Sequence, residues 1–278
     1  MKKKGILFTI TTIFLLLAVF LLLSAYLVRN RELHRTAVIS SAGSRLSYVY
    51  DDAADDIYSD LLSINLESIS RDSAVIVIFN HTNLTSAINH AQLMQDYEDF
   101  IEGAYSSLNN LNIQLTNFNN SFTLEPYNST FIIDSSMIYV YTDNHANINS
   151  ISLQINTSQA SNTSQGFPAD TGDIKLNVEI MHSNGTFSSS ASLDPESANS
   201  PFYVNFASGA RLEVNFGQYS SRNGVLRINA SALTADTNHL EYNYSLLPEK
   251  VTIKGGNISI TSAVENITKN TEIIIAEE

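Results

Sequence analysis

The longest apolar run of the chain lies near its start. From Ile6 to Val28 no residue is charged and only four are polar. These twenty-three residues would extend about 35 Å as a helix at ~1.5 Å each, which is enough to cross a bilayer core of ~30 Å. A cleaved secretory signal normally has a shorter apolar stretch, of about 7 to 15 residues. The pattern predicts a transmembrane helix at 6–28, preceded by a basic segment at 1–5.

Apolar residues continue at helical spacing beyond this run. Ile39, Ala42, Leu46, Val49 and Ala53 follow one another at intervals of three or four, as on one face of a helix. The other faces carry several Asp residues between 51 and 60, which we expect to be solvated. A helical stalk at 29–70, continuous with the transmembrane helix, is therefore predicted.

Both hydrophobic periods occur between residues 71 and 157. The apolar run at 74–79 favours a short strand, although its periodicity also fits the end of a helix. Apolar residues at helical spacing predict an amphipathic helix from Ser86 to Leu108. The period then changes to two, which is typical of strands. We interpret 71–157 as a membrane-proximal α/β region.

The rest of the chain has the pattern of an all-β domain. Alternation from Lys175 to Met181 predicts a hairpin, with Asn184-Gly185 at the positive-φ positions of a type I′ turn. A second Asn-Gly pair, at 223–224, predicts a longer connection between two further strands. The segment 158–172 is rich in Ser, Thr and Asn and is predicted to be a linker before a β-sandwich-like domain at 173–278.

These elements define one fold class. We expect an α+β protein with an N-terminal transmembrane helix, a helical stalk, and a mainly antiparallel, sandwich-like extracytoplasmic region.

Composition excludes several classes of function. The net charge is −13, and no Lys or Arg occurs between Arg71 and Lys175, which argues against nucleic acid as a partner. There is no cysteine, so disulfides, thiol catalysis and thiolate-bound zinc are excluded.

Basic residues flank the apolar run on both sides, so the positive-inside rule hardly decides its orientation. Lys2, Lys3 and Lys4 precede it, and three Arg residues follow it between 29 and 35. Glu32 weakens the second cluster. The long acidic region beyond it is also dense in glycosylation sequons. We therefore predict a single-pass cell-membrane protein whose C-terminal domain is extracytoplasmic.

Asn-x-Ser/Thr is the acceptor pattern for N-glycosylation, and it occurs eleven times. Chance would give roughly six in a chain of this composition. An Asn/Ser/Thr-rich β surface also produces such triplets without any modification. The possible N-glycosylation sites are Asn80, Asn83, Asn119, Asn128, Asn156, Asn162, Asn184, Asn229, Asn243, Asn257 and Asn266.

The familiar catalytic and phosphate-binding motifs are absent from the sequence, so no enzyme activity and no cofactor are predicted. The six histidines never occur at i,i+4 spacing and are expected on the surface or in loops. Asp170 and Asp173 are weak candidates for calcium binding, because Asp also favours turns for purely structural reasons.

The aromatic residues predict β packing more than a binding site. There are 13 Tyr and 13 Phe, but no Trp, the residue most often used to stack sugars. Six tyrosines are expected in strands with their hydroxyls at the sheet edge: Tyr139, Tyr141, Tyr203, Tyr219, Tyr242 and Tyr244.

The first residues resemble a known processing signal. Lys2-Lys3-Lys4-Gly5 stands directly before an apolar helix that begins at Ile6. This resembles the class III signal peptide of archaeal type IV pilin-like proteins, and implies cleavage between Gly5 and Ile6 and assembly through the apolar helix. Where that family carries Glu, this chain has Ile10. The layout also resembles uncharacterised archaeal single-pass surface proteins.

Three functional hypotheses follow. The preferred one is a membrane-anchored cell-surface protein with a structural, adhesive or interaction role. The second is a pilin-like subunit that is cleaved after Gly5 and assembles through its apolar helix. The third is an anchored hydrolase or ligand-binding domain. The expected partners are the lipid bilayer, through Ile6 to Val28, and other surface proteins or further copies of the chain.

Overall fold

The chain begins with one long helix. The computed structural model describes residues 2–54, 57–82, 84 and 87–278. Its helices are α1 (Lys2–Ala54), α2 (Ile57–Leu62), α3 (His90–Phe100) and the single turn α4 (Ser106–Leu108), and a π-helical segment (Ile101–Tyr105) joins the last two. The predicted amphipathic helix therefore begins at His90, where the Asn89 side chain accepts a hydrogen bond from the Gln92 N–H at 3.1 Å. Its predicted start, Ser86, lies outside the described residues.

Sixteen strands are present in the described part of the chain. They are β1 (Ile64–Arg71), β2 (Val75–His81), β3 (Asn112–Thr116), β4 (Ser121–Glu125), β5 (Ser129–Asp134), β6 (Met137–Thr142), β7 (Ile148–Asn156), β8 (Ser161–Gln165), β9 (Ile174–His182), β10 (Gly185–Leu193), β11 (Phe202–Phe206), β12 (Arg211–Tyr219), β13 (Arg222–Ser231), β14 (Thr237–Tyr244), β15 (Thr252–Ser262) and β16 (Ile267–Glu277). The strand predicted at 74–79 is confirmed as β2.

The strands form two sheets. One has six strands in the order β1-β2-β14-β7-β9-β10, and the other has ten in the order β16-β15-β4-β5-β6-β13-β12-β11-β8, with β3 beside β15. Only β7 and β9 pair in parallel among the described strands. The prediction of a long N-terminal helix followed by a mainly antiparallel region is confirmed.

The two sheets face each other across one hydrophobic core. The Phe79 ring of the six-stranded sheet lies 4.7 Å from the Phe131 ring of the ten-stranded sheet. Tyr127 stacks on Tyr244 with ring centroids 3.9 Å apart, and the Tyr244 hydroxyl donates to Ser129 Oγ at 2.9 Å. Tyr242 and Tyr244 were expected at a sheet edge, and that prediction is wrong: both lie buried between the sheets.

The end of α1 packs against the ten-stranded sheet. Ala42, Leu46, Val49 and Ala53 are buried, which confirms the predicted stripe from Ala42 onward, whereas Ile39 stays 47% exposed. This face contacts β15 and β16. The last turns of α1 therefore belong to the β-rich part, which we call the head (residues 42–278 as described).

The predicted helical stalk at 29–70 is too long at its C-terminal end. The helical segments end at Leu62, Ser63 adopts a positive φ of 53°, and β1 begins at Ile64. β1 pairs antiparallel with β2, and this non-local pairing overrides the helical spacing of the preceding residues.

The segment predicted as a linker, 158–172, contains strand β8, which pairs with β11. Strands from both sides of this segment share both sheets: β7 pairs with β9, and β6 pairs with β13. The predicted regions 71–157 and 173–278 thus contribute to the same two sheets.

Both predicted hairpins exist, but neither uses Asn-Gly as its turn. β9 and β10 are joined through Ser183-Asn184, and Gly185 is already paired with His182. β12 and β13 are joined through Ser220-Ser221, whose φ angles are 49° and 66°. The second connection is therefore shorter than predicted, and Asn223-Gly224 lies inside β13.

A tyrosine from α2 fixes the helices to β15. The Tyr58 hydroxyl accepts the Gly256 N–H at 2.6 Å, and a Cβ at Gly255 would lie 2.2 Å from the Tyr58 ring. We expect Tyr58→Phe to lower the free energy of unfolding by roughly 1–3 kcal/mol, because the buried N–H loses its acceptor. Gly255→Ala should cost a similar amount through overpacking.

The matched control is Tyr48→Phe, because Tyr48 is 69% exposed on α1. It should change the free energy of unfolding by less than about 0.5 kcal/mol. Denaturant unfolding of the full chain measures all three variants. Equal stability of Tyr58→Phe and Tyr48→Phe would contradict the proposed role of the buried hydroxyl.

Candidate functional site

Between residues 12 and 28, α1 has an apolar surface that the rest of the described chain leaves uncovered. Every large apolar side chain from Ile13 to Val28 is more than half exposed, for example Phe20 at 69% and Leu22 at 72%. Soluble monomers rarely expose a contiguous apolar surface of this extent. By length and composition, α1 is the one helix in the described residues that could cross a membrane.

A polar stretch of the same helix separates this surface from the head. Residues 29–41 are all exposed and include Arg29, Arg31, Glu32 and Arg35. Thirteen helical residues span about 20 Å at ~1.5 Å each. The predicted processing site, Gly5-Ile6, belongs to α1 near its start.

The predicted glycosylation sites are distributed over both sheets. Six of the acceptors are exposed: Asn119, Asn128, Asn156, Asn162, Asn184 and Asn266. Four are half-buried: Asn80, Asn229, Asn243 and Asn257. Asn83 lies outside the described residues. None of the ten described acceptors is buried, so their positions are compatible with modification.

A cluster of aromatic and cationic side chains covers part of the outer face of the ten-stranded sheet. We call it the Tyr–Arg surface, and it consists of Tyr139, Tyr141, Tyr219, Arg222 and Arg227. Alternation in β6 places Ile138 and Val140 in the core and the two tyrosines outside. β13, which carries both arginines, lies between β6 and β12. The pairing of β6, β13 and β12 therefore brings the three tyrosines and two arginines together.

Ring stacking and cation–π contacts order these side chains. The Tyr139 ring stacks on Tyr141 and Tyr219 with centroid distances of 6.2 and 6.0 Å. The Arg227 guanidinium lies 4.2 Å from the centroid of Tyr219, and that of Arg222 lies 4.9 Å from the centroid of Tyr141. Burial, followed by the neighbouring Tyr219 and Tyr141, raises the pKa of Tyr139. The Tyr139 phenol is therefore a neutral hydrogen-bonding group at physiological pH.

A second Arg–Tyr pair continues this surface. The Arg211 guanidinium lies 4.6 Å from the centroid of Tyr203, in strands β12 and β11. Glu213 pairs with Arg211 at 3.0 Å and approaches Arg227 at 4.0 Å. The chain contains only three arginines after Arg71, and all three lie here. These three arginines thus share one sheet face in a protein whose net charge is −13.

The outer face of the six-stranded sheet is polar and already internally bonded. It has a shallow cavity of about 600 Å³ lined mainly by Ser, Asn, Gln and Glu side chains. Asn177 donates to Ser152 Oγ at 3.3 Å and accepts from Ser190 Oγ at 2.7 Å, and Gln154 donates to Glu179 at 2.8 Å. Because these groups bond to each other, they offer fewer free partners to a ligand than the Tyr–Arg surface does.

Two histidines lie in the interior, in β2 and α3, so the prediction that all six lie on the surface or in loops is wrong for them. His81 is 3% exposed and His90 is fully buried, and their rings are 6.2 Å apart. His90 Nδ1 bonds to the Leu61 carbonyl at 2.9 Å, which fixes its ring against α2. Burial, with a smaller contribution from His90, lowers the pKa of His81 to about 4, and a hydrogen bond to the Leu62 carbonyl opposes the shift.

The two calcium candidates do not meet in a cluster of ligands. Asp170 accepts a hydrogen bond from the Ser192 N–H at 2.7 Å, which ties its loop to β10. Asp173 is exposed. No group of three or more His, Asp or Glu side chains suited to a metal ion occurs among the described residues.

Sequence reasoning missed both the Tyr–Arg surface and the buried histidines. Tyr139 and Tyr219 come from strands that are distant in the chain, and only their common neighbour β13 brings the two rings together. The one local signal was the period-two placement of Tyr139 and Tyr141.

Comparison of the chain with protein-family models, with curated proteins and with solved structures gives no match.

The buried His81 predicts acid sensitivity. Its folded-state pKa lies below the usual 6.5, so between pH 6.5 and about 4 the unfolded chain binds more protons than the folded one. Stability should therefore fall as pH decreases through this window, by about 3 kcal/mol from this group. His81→Gln should flatten the dependence, measured as the free energy of unfolding at pH 7.5 and pH 4.

The control for this experiment is His34→Gln on the exposed polar stretch of α1. It should keep the slope of the unmodified chain, since His34 is solvated. If His81→Gln and the unmodified chain lose stability equally between the two pH values, the buried histidine is not the cause.

Proposed function

We propose that this chain is a single-pass, membrane-anchored cell-surface protein whose β-rich head has an interaction or adhesive role. The observation that carries the proposal is the bare apolar surface of α1 from Ile13 to Val28. In water this surface would be strongly unfavourable, at roughly 25 cal/mol per Å² of exposed apolar area. A lipid bilayer would cover this apolar surface. The helix can enter the bilayer because its backbone groups are hydrogen-bonded internally.

Continuity of the helix supports a presenting role for the head. Residues 29–41 keep the same helical geometry and would hold the head about 20 Å from the membrane surface. This stretch carries Arg and Glu side chains that suit the polar interface. The helix would thus hold the head away from the membrane, in a fixed orientation and accessible to partners.

The distribution of the possible glycosylation sites supports an extracytoplasmic head. All ten described acceptors are at least partly accessible, on both sheets. A head without cysteine owes its stability to packing between the sheets, as the Phe79 and Phe131 contact illustrates. No catalytic role is part of this proposal.

Membrane anchoring predicts a position-dependent effect of charge. Leu16→Lys combined with Phe20→Lys should release the protein from membranes, because a charge near the bilayer centre costs roughly 2.5–3.5 kcal/mol. Leu33→Lys combined with Val38→Lys adds the same charge on the exposed polar stretch and should leave the protein in the membrane pellet. Extraction of native membranes with alkaline carbonate measures the difference. Equal release of both variants would contradict anchoring through 6–28.

Pilin-type assembly is a second candidate function, and the layout of α1 favours it. Described side chains before Ala42 make no buried contact with the head, so copies of the chain could pack these helices side by side. The apolar surface of Ile13 to Val28 would then be shared between helices as well as lipids. The resemblance at Gly5-Ile6 points to the same arrangement.

Processing is tested by the N-terminus of the mature chain. When the protein is isolated from its native membranes, pilin-type cleavage predicts a first residue of Ile6, with the mass of residues 1–5 lost. Gly5→Val, which alters the cleavage site, should retain these residues, whereas Gly43→Ala on the docked part of α1 should be processed normally. An unmodified chain that still begins at Met1 would exclude this candidate and leave permanent anchoring in place.

A further inference from the structure

We propose that the Tyr–Arg surface binds an acidic polysaccharide whose charges are carboxylates. This inference deepens the role proposed for the head, but it concerns the head alone. Binding of a soluble polymer can therefore fail or succeed independently of whether α1 crosses a membrane.

The geometry of the arginines carries the first step. A guanidinium held over an aromatic ring keeps N–H donors that can form paired bonds with a carboxylate. The Arg227 guanidinium lies over Tyr219 at 4.2 Å from the ring centroid, and that of Arg222 lies over Tyr141 at 4.9 Å. The rings restrict these side chains before any ligand arrives, so less conformational entropy is lost on binding.

Charge gives the second step. Carboxylates within 4 Å of the three arginines are limited, among the described residues, to Glu213, which pairs with Arg211 and approaches Arg227. Arg222 is exposed and forms no ion pair with another described residue. The surface therefore retains uncompensated positive charge in an acidic protein. Acidic side chains are frequent at the end of α1 and along α3, which are not part of this surface.

Shape selects a polymer of sugars over a compact ligand. The site lies on an open sheet face, and its tyrosines Tyr139, Tyr141 and Tyr219 form a continuous stack rather than the wall of a pocket. Sugar rings present C–H groups that can pack on the edges of such a stack, and hydroxyls that bond to phenols. An extended uronic-acid chain supplies both these groups and carboxylates at regular intervals.

Binding to polygalacturonate tests the proposal, with the purified full chain in detergent. The unmodified protein should bind the free-acid polymer, and its affinity should fall as the salt concentration rises. It should not bind the same polymer after methyl esterification of the carboxyl groups. Arg222→Gln combined with Arg227→Gln should weaken binding at least about tenfold, because two charge-assisted hydrogen-bonding groups are lost.

Two further variants separate the site from general charge. Lys175→Gln combined with Lys250→Gln removes the same number of charges from exposed positions away from this surface, and should bind like the unmodified chain. Arg222→Lys combined with Arg227→Lys keeps the charge but loses the planar donors, and should weaken binding several-fold. Thermal unfolding of each variant confirms that the sheets are intact.

Several results would overturn the proposal. These are no binding to the free-acid polymer, equal binding to the esterified polymer, or equal loss in the two Gln double variants. Salt-sensitive self-association that depends on Arg222 and Arg227, without polymer binding, would instead identify a second copy of the chain as the occupant.

Discussion

The fold depends on the docking of the first helices onto β15. This strand pairs with β16 on one side and with β3 and β4 on the other. It therefore joins the edge strand β16 and the short strand β3 to the rest of the ten-stranded sheet. Leu46 and Val49 of α1 are buried against this edge, and Tyr58 of α2 fits over Gly255 and Gly256. Two consecutive glycines are needed at this point because a side chain at either would collide with the ring or with the backbone near Phe118.

The environment of α1 changes twice along its length. The helix is exposed and apolar from residue 12 to Val28, exposed and polar from Arg29 to residue 41, and buried on one face from Ala42. Because the end of α1 packs against β15, the direction of the helix sets the orientation of the head. The two sheets then differ in their outer faces: the six-stranded sheet bonds its polar side chains to each other, whereas the ten-stranded sheet presents the Tyr–Arg surface. The head thus presents three arginines on one sheet face, and Arg222 among them forms no ion pair with another described residue.

Local patterns in the sequence predicted the long helix, β2, the two hairpins and the general change from helix to strand. These features depend on spacing within one segment, as the stripe of Ala42, Leu46 and Val49 illustrates. Non-local pairing decided the rest. β14 lies between β2 and β7, and this position buries Tyr242 and Tyr244 between the sheets. Ser220-Ser221 forms a tight turn with two positive φ angles, which Asn-Gly was expected to supply three residues later. The Tyr–Arg surface needs three strands at once, and its members have no common signature in the sequence.

The central claim is that one continuous helix passes from a bilayer into water and then into the head. Because the chain has no cysteine, single cysteines can be introduced along 12–41 and tested with a membrane-impermeant thiol reagent in native membranes. The account predicts protection from residue 12 to Val28 and labelling on every face of the helix from Arg29 to residue 41, with reagent applied from outside. Labelling of residues 12–28 on all faces, or protection of 29–41 along one stripe, would contradict it.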